Sequence, residues 1–155
     1  MQTMAKLDRH GRPPPAAILR LIVDHQRWIN SGGRFGKRLD RDELPFVNCD
    51  LDGVDLSGAN LRHAYFDGGS ARMARFIGTN LYNSKFDGCD VEGANFSRAD
   101  LLEATFVTNH DKACFDGANI EHTAWSAEEE RANLKAYRTQ RLARLKDLST
   151  MLKGP

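Results

Sequence analysis

Residues 94–106 read ANFSRADLLEATF, and this stretch contains the pattern that decides the fold. A large apolar residue occupies every fifth position, here Phe96, Leu101 and Phe106. The same period extends back to residue 46, and its central residues are Phe46, Leu51, Leu56, Leu61, Phe66, Ala71, Phe76, Leu81, Phe86, Val91, Phe96, Leu101 and Phe106. Neither the 3.6-residue period of a helix nor the two-residue period of a strand gives this spacing. The sequence therefore predicts an architecture built from five-residue repeats.

Each five-residue unit has small and turn-forming residues at fixed places around its centre. A small side chain lies two positions before the centre, as in Ala94 and Ala99, and Asp or Asn often separates the two. Glycine recurs two positions after the centre, for example at Gly78 and Gly88. Residues two apart in an extended segment point to the same side, and Gly, Asn and Asp tolerate the dihedrals of tight turns. One unit cannot bury its apolar pair alone, so successive turns are expected to stack into an all-β solenoid.

These units resemble the A(D/N)LXX repeat of the pentapeptide-repeat family over about residues 44–126. The resemblance implies a right-handed quadrilateral β-helix with four units in each coil, and therefore about four coils. Centres twenty residues apart should then stack. The resulting columns are Phe46, Phe66, Phe86 and Phe106; Leu51, Ala71 and Val91; Leu56, Phe76 and Phe96; and Leu61, Leu81 and Leu101. One column is entirely Phe and another entirely Leu, which is a check internal to this sequence.

The five-residue rhythm fails at 107–112 and resumes one residue short, at Phe115, Ile120 and Trp125. In this register the three residues join the Leu56, all-Leu and all-Phe columns respectively. We expect an irregular loop at this place, and loops on rigid scaffolds often carry function. The candidate interaction loop consists of Thr108, Asn109, His110, Asp111 and Lys112. A tolerated one-residue deletion is the alternative interpretation.

One side of the coil is predicted to be thin, because Gly69 and Ala71 fill little volume there. Cys49 and Cys89 lie on this side, two coils apart. Two strand spacings are about 9.6 Å, which exceeds the roughly 7 Å that a disulfide allows between Cα atoms. Both residues are therefore expected to be buried, inert thiols. Cys114 occupies an outward position and is expected to be more reactive.

Residues 1–43 form an N-terminal segment in which apolar residues at helical spacing predict a capping helix at about 15–30. The glycines at 32 and 33 follow as a stop signal. Packing against the first coil is expected from Ile18, Leu21, Ile22 and Trp28. The spacing of His25, Trp28, Gly33 and Gly36 also resembles a lead-in that often precedes bacterial pentapeptide repeats.

Residues 127–155 are predicted to form a long C-terminal helix that ends at about Leu152. Ser126 and Glu129 have the spacing of a capping box. The candidate dimer or partner residues are Leu134, Tyr137, Leu145, Leu148 and Leu152. A homodimer through this helix is the preferred interpretation, with packing on the coil, on another protein or on an acidic membrane as alternatives.

The net charge of +1 is unevenly distributed along the chain. Residues 1–44 carry a net charge of +4, residues 45–126 carry −6, and residues 127–155 carry +3. Ordinary surface solvation explains such a distribution, and so does association with a charged partner. His110 and Cys114 are four residues apart, but no second ligand pair accompanies them, so no metal is predicted. No catalytic motif is present, and we expect neither an enzyme nor a cofactor.

The predicted function is a protein-interaction scaffold or adaptor whose protein partner is not identified by the sequence. The alternative, which the resemblance implies, is a DNA-mimicking modulator of DNA gyrase and related topoisomerases; nucleic acid itself is not expected as a partner. No apolar run approaches the roughly 18 residues of a membrane span, and the polar start predicts no secretory signal. Three cysteines without paired spacing fit a reducing compartment. A cytoplasmic protein is therefore expected.

Overall fold

The structure, a computed structural model, describes residues 12–108, 110 and 112–154, with the side chains of all of these except 127 and 129–137. Helix α1 spans Ala16–Asn30 and helix α2 spans Ala127–Leu152, so both helices lie where the sequence predicts them. Between the helices the described chain winds into a coil. Successive turns of the coil are joined by parallel bridges of one residue each.

Ten of the bridges join residues twenty apart and recur at every fifth position, so a regular turn of the coil takes twenty residues. Two backbone hydrogen bonds at a bridge join one turn to the next. Leu61 N–H donates to Asn80 O at 2.8 Å, and Asn80 N–H donates to Ala59 O at 3.0 Å. Within the second turn, the bridge positions are Tyr65, Ser70, Arg75 and Asn80. Five-residue spacing along the chain therefore becomes vertical stacking between turns.

Two columns of aromatic rings fill much of the interior. Phe66 and Phe86 stack with centroids 4.3 Å apart, and Phe76 and Phe96 stack at 4.8 Å. The two columns meet edge to face, as at Phe86 and Phe96, whose planes are 90° apart. Fully burying a side chain of this size stabilises the fold by about 1.5–3 kcal/mol. The predicted core residues that are buried are Phe46, Leu51, Leu56, Leu61, Phe66, Phe76, Leu81, Phe86, Val91, Phe96, Leu101 and Phe106.

The three predicted core residues of the last turn are less buried. Phe115 and Trp125 are half-buried, and the Trp125 ring ends the Phe column 5.3 Å from Phe106. Ile120 is 46% exposed, which differs from the prediction that it lies in the core. The reason is that the described chain forms no further turn to cover it.

The segment 107–112 shortens one turn of the coil by a residue. Asn95 lies opposite Cys114, which is nineteen residues further on, whereas the earlier bridges span twenty. The Thr108 hydroxyl donates to Cys89 O at 2.6 Å. In the earlier turns, backbone N–H groups supply bonds of this kind. A side chain therefore replaces a backbone donor where the bridges are interrupted.

Helix α1 covers the N-terminal end of the coil. Ile18 and Ile22 are buried against the core, and Leu21 packs at its edge. The Trp28 ring stacks on His25 with centroids 5.4 Å apart. Trp28, the fourth predicted cap residue, lies in the last turn of the helix and is half-buried.

Two polar side chains of α1 donate hydrogen bonds to backbone carbonyl groups of the first turn, on the side that faces away from the second turn. His25 Nε2 donates to Ser57 O at 3.0 Å, and Gln26 Nε2 donates to Asp55 O. Leu39 N–H donates to His25 Nδ1 at 3.0 Å, so both ring nitrogens are occupied and the ring is neutral. Burial lowers the pKa of His25, which keeps it in this form. The cap thus completes the hydrogen bonding of the first turn with side chains.

Candidate interaction surface

One corner of the coil carries side chains where the other corners mostly carry glycine. Two residues after each centre the backbone turns with a positive φ, and Gly53, Gly58, Gly68, Gly78, Gly88, Gly93 and Gly117 occupy such positions. After the all-Leu column, however, every such position is filled by a residue with a side chain. These residues are Glu43, His63, Asn83, Glu103 and His122, with φ between 50° and 61°. We call this column the Glu43–His122 corner.

The backbone conformation at the Glu43–His122 corner is less favourable for a residue with a side chain than for glycine. A Cβ in the left-handed region costs roughly 1–2 kcal/mol, whereas Gly adopts the region freely. Asn and His adopt this region several-fold more often than other residues with side chains, so the cost falls mainly on Glu43 and Glu103. Because the side chains are present at a cost in stability, they indicate a role for this surface other than turning the chain.

The side chains of this corner form a connected network with the tyrosine beside it. The His63 ring meets Tyr82 edge-on, with centroids 5.3 Å apart, and its Nδ1 lies 3.1 Å from Asn83 Nδ2. Tyr82 OH donates to Glu103 Oε2 at 3.2 Å. The Arg62 guanidinium lies over the Tyr82 ring, 5.6 Å from its centroid. The network therefore holds a half-buried aromatic ring in a fixed position among donors, acceptors and charges of both signs.

Sequence reasoning missed this corner and selected the loop at 107–112. The available signal was negative: glycine is missing two residues after each centre of the all-Leu column, while it recurs on the other columns. An absence of glycine is easily overlooked, because outward positions tolerate many residue types.

Two described residues of the candidate interaction loop, Thr108 and His110, are half-buried, and Lys112 is exposed. His110 Nδ1 is 3.0 Å from Thr108 O, and its ring is 5.2 Å from Trp125. Lys112 Nζ pairs with Glu92 Oε1 at 3.4 Å. The remaining two predicted residues, Asn109 and Asp111, lie outside the described residues. Thr108 and His110 are therefore engaged in local contacts rather than displayed to solvent.

Residues 42–96 match the family model of the pentapeptide repeat region. The chain contains a pentapeptide-repeat region. Its period of five, its stacked Phe column and its glycine turns begin within the matched residues and continue beyond them, to Phe106 and Gly117. No curated protein sequence matches the chain.

Solved structures of pentapeptide-repeat proteins are similar to this chain. HetL, involved in heterocyst differentiation regulation in the cyanobacterium Nostoc sp. strain PCC 7120, is 26% identical with a TM-score of 0.54, over 56% of this chain and 40% of HetL. Rfr23 from the cyanobacterium Cyanothece 51142 is 24% identical with a TM-score of 0.46, over 61% of this chain and 69% of Rfr23. The protein alr5209 from Nostoc PCC 7120 is 20% identical with a TM-score of 0.48, over 75% of this chain and 89% of alr5209.

The likeness to HetL shows that the coil has the right-handed β-helix fold of pentapeptide-repeat proteins. The chain spans about 40% of HetL's length. The likeness therefore concerns the fold, and the involvement in heterocyst differentiation regulation is a property of HetL.

The cysteines of the pentapeptide-repeat region are free thiols in different surroundings. Cys49 and Cys89 are buried, and burial raises the pKa of both, that of Cys89 to about 12. The acidic side chains of Asp90 and Asp52 add to the shift at Cys89. Cys114 is half-buried, with its Sγ 3.3 Å from the hydroxyl oxygen of Ser97. The first two thiols are therefore poor nucleophiles at neutral pH.

Part of the negative charge of the coil is neutralised by ion pairs. Arg72 lies 2.9 Å from Glu92 and 3.9 Å from Asp90. Arg75 pairs with Asp55 at 3.5 Å. Exposed pairs of this kind add little stability, but they break up the acidic surface into mixed charge.

The side chains of residues 138–152 in helix α2 are exposed to solvent, as are those of the two residues that follow the helix. Leu145, Leu148 and Leu152 are all exposed, and Arg141 lies one helical turn before Leu145 in the same stripe. The side chains of Leu134 and Tyr137 lie outside the described residues. The stripe of candidate dimer residues is therefore interrupted by a cation.

The part of the chain that the structure describes contains neither a metal-site cluster nor a membrane-spanning helix. No group of three or more His, Cys, Asp or Glu side chains there could hold a metal ion. No helix there is long and apolar enough to cross a membrane. The Glu43–His122 corner is the surface whose chemistry stands out from the repeat.

Proposed function

We propose that this chain is a non-enzymatic protein-interaction scaffold of the pentapeptide-repeat type, and that its protein partner binds the Glu43–His122 corner. In this proposal a quadrilateral coil of about four turns occupies residues 44–126. The segment 1–43 caps the coil, and the segment 127–155 extends from its other end. The bridges between residues twenty apart, at four positions in each turn, support this division.

The observation that carries the proposal is the choice of residue at the positive-φ positions. Glycine would make each turn with less strain, and three of the four corners use it repeatedly. At the Glu43–His122 corner, side chains occupy all five positions. Strained residues often mark functional surfaces, and a rigid coil fixes the spacing between them. A surface of this kind suits recognition rather than catalysis.

The chemistry of the corner fits a protein partner with both polar and aromatic groups. Tyr82 is already oriented by Arg62 and Glu103, so little side-chain entropy is lost when it is covered. Tyr and Arg are enriched among the residues that dominate protein interfaces. The neighbouring His63 and Asn83 add hydrogen-bonding groups that a partner backbone can use.

A homodimer through α2 is a second part of the proposal. Leu145, Leu148 and Leu152 are exposed, and covering them would remove apolar area from water. Arg141 beside them disfavours a close apolar seam between two copies. Sedimentation of the full chain tests this point: a dimer that dissociates in the double variant L145E/L148E supports it, and a monomeric parent chain contradicts it.

The scaffold is preferred to a DNA-mimicking modulator of DNA gyrase. A DNA mimic needs a continuous array of negative charge, and the pairs of Arg72 and Arg75 with their acidic neighbours interrupt it. The basic ends of the chain oppose it further. In a gyrase supercoiling assay, the chain is expected neither to inhibit nor to protect the enzyme.

A cytoplasmic location also belongs to the proposal. Cys49, Cys89 and Cys114 are all free thiols, which fits a reducing compartment. Fractionation of the native cells is expected to recover the chain with cytoplasmic proteins.

Site-specific photo-crosslinking in the native cells tests the scaffold function. A benzophenone amino acid replaces Tyr82 in one version of the full chain and Tyr65 in the other. Tyr65 is the matched control, since it is an exposed tyrosine on a different side of the coil. A discrete protein adduct is expected from position 82 and none from position 65.

A second arm of this experiment uses the variant H63G/E103G with the crosslinker at position 82. The two substitutions remove corner side chains and leave the backbone its preferred turn, so the chain still folds while the adduct is expected to disappear. Adducts of equal yield from both tyrosine positions, or none from either, would contradict the proposed surface.

A further inference from the structure

The loop after α1 displays an aromatic side chain to solvent. Phe35 is 71% exposed, whereas its backbone is tied to the end of α1. Ser31 Oγ accepts the Phe35 N–H at 2.8 Å and lies 3.1 Å from Phe35 O. An exposed Phe on a tethered loop is unusual, because burying it would stabilise the fold.

The same loop is packed tightly onto the helix. Gly36 has a φ of +76°, and a Cβ at this position would lie 2.7 Å from the backbone nitrogen of Trp28. Lys37 N–H donates to Asp24 O at 3.1 Å. The loop is therefore held against the helix by these contacts, and the Phe35 side chain is exposed beside it.

The outward side of α1 adds two more apolar side chains to this surface. Leu19 and Val23 are 44% and 43% exposed. They are four residues apart, so they lie on one side of the helix. Arg20 and Arg27 are both exposed. Around the circumference of the helix, they lie between the side that carries these two residues and the side that contacts the loop. We call the surface formed by α1 and the loop 31–38 the cap surface.

The cap surface is strongly basic. Residues 16–38 contain five Lys or Arg and one Asp, a net charge of +4, and all five cations are exposed. Asp24 pairs with Arg27 at 3.8 Å, and Asp40 pairs with Arg38 at 3.6 Å. Arg34 and Lys37, on either side of Phe35, have no ion pair within the part of the chain that the structure describes.

We propose that the cap surface binds an anionic phospholipid surface, with Phe35, Leu19 and Val23 entering the headgroup region and the flanking cations contacting phosphate groups. Apolar side chains beside Lys and Arg are the combination that binds peripheral proteins to such membranes. Because the cap surface is positively charged, the lipid it binds must be negatively charged. The apolar side chains favour lipid over a partner that offers only charged groups.

A nucleic acid explains fewer of these features. A single strand would use the cations and could stack a base on Phe35. It offers no partner to the aliphatic side chains of Leu19 and Val23. The lipid surface accounts for both groups of residues, and nucleic-acid binding becomes an outcome that the experiment separates.

The test measures co-sedimentation of the full chain with vesicles of phosphatidylcholine alone and of phosphatidylcholine with phosphatidylglycerol at roughly 7:3. Binding is expected only to the anionic vesicles, and it should weaken as salt is raised. The variant F35S should lower the partition coefficient about tenfold. The variant R34E/K37E should lower it by about 25-fold or more. Both variants should unfold at the parent temperature, because the changed side chains are exposed.

Two matched controls separate the cap surface from the rest of the protein. M73S removes a similarly exposed apolar side chain from the coil, since Met73 is 68% exposed. R141E/R144E reverses two exposed charges on α2. Neither control should change vesicle binding by more than about twofold.

Three results would overturn the proposal. The first is equal partitioning to both kinds of vesicle, or to neither. The second is loss of binding in R141E/R144E with retention in R34E/K37E, which assigns lipid binding to α2. The third is tight binding of an oligothymidylate that F35S abolishes while no vesicle is bound, which assigns the cap surface to single-stranded nucleic acid.

Discussion

Two corners of the coil share a left-handed backbone conformation but differ in the residues that adopt it. The corner after the Leu56 column holds Gly58, Gly78 and Gly117, with Arg98 as its exception, whereas the Glu43–His122 corner holds no glycine. A Cβ added at Gly78 would meet nothing within 4 Å. Space therefore does not demand glycine at such a corner, and the left-handed φ alone favours it. The comparison separates what the fold requires of an outward position from what a surface function requires.

A third kind of glycine sharpens this comparison, because at Gly69 space is the limiting factor. A Cβ there would lie 2.8 Å from the backbone nitrogen of Cys49 and against its carbonyl oxygen. The substitution G69A is expected to destabilise the fold by about 3 kcal/mol or more, since backbone of an adjacent turn must move and φ is +73°. Chemical denaturation measures the change. This is the largest effect we expect from a glycine substitution.

The matched control for G69A is G78A, which adds the same methyl group into open space. It should cost about 1 kcal/mol, the penalty of the left-handed conformation alone. Equal losses for the two variants would show that close approach between the turns does not limit the thin side of the coil.

The first turn of the coil depends on α1 through His25. The substitution H25A leaves Leu39 N–H and Ser57 O without the partners they have in the structure. Each buried unsatisfied group costs about 1–3 kcal/mol, so we expect a loss of about 2–3 kcal/mol that is concentrated in the first turn. Hydrogen exchange measures where the loss falls. Uniform loosening of all turns would contradict a local role for the cap.

The cap also makes stability depend on pH. Burial lowers the pKa of His25 below 6.5 in the folded chain, against the raising effects of Ser57 and Asp55 and with a smaller lowering by Arg38. As the pH falls below 6.5, the unfolded chain binds a proton that the folded chain resists, so the free energy of unfolding decreases. The decrease between pH 7 and pH 5.5 should be smaller in H25A than in the parent chain. An equal decrease in both would exclude His25 as its source.

The corner comparison is tested directly by replacing a corner side chain with glycine. H63G relieves the left-handed strain and loses the contacts of His63 with Tyr82 and Asn83. The two effects oppose each other, so stability should change by no more than about 1 kcal/mol. M73G is the control, because Met73 has the same conformation, φ 57°, on another corner. A loss above about 2 kcal/mol in H63G alone would mean that His63 supports the fold rather than a surface function.

The inward and outward positions of this chain differ in how well sequence predicts them. Inward residues face one requirement, to fill the interior, so the period of five, with the four units per coil that the family resemblance implies, predicts columns such as Phe66 and Phe86, which lie 4.3 Å apart. Helix α1 was predictable from apolar spacing and stop residues, and α2 from the capping-box spacing of Ser126 and Glu129. Outward residues face no such requirement, and the network around Tyr82 depends on which residues become neighbours only after stacking. The side-chain donors of α1 were likewise hidden, since His25 reads as an apolar-face residue until its carbonyl partner is located.

The smallest effect concerns charge at a glycine corner rather than backbone conformation. Asp67 precedes Gly68, and its Oδ1 is buried without a hydrogen-bond partner. Burial, and then the charge of Asp87, raise the pKa of Asp67 above 3.8. The folded chain therefore takes up a proton before the unfolded chain as the pH falls, which means that the ionised form is disfavoured in the fold at neutral pH.

The substitution D67N removes this charge and should raise the free energy of unfolding at pH 7 by a few tenths of a kcal/mol. The gain should shrink as the pH falls and Asp67 in the parent chain becomes protonated. Urea denaturation at pH 7 and pH 4 measures it, with D116N as the control because Asp116 is exposed. A gain that persists at pH 4, or one that D116N reproduces, would show that the effect is not due to burying the Asp67 carboxylate. In that case the corner at Gly68 carries no charge penalty at neutral pH.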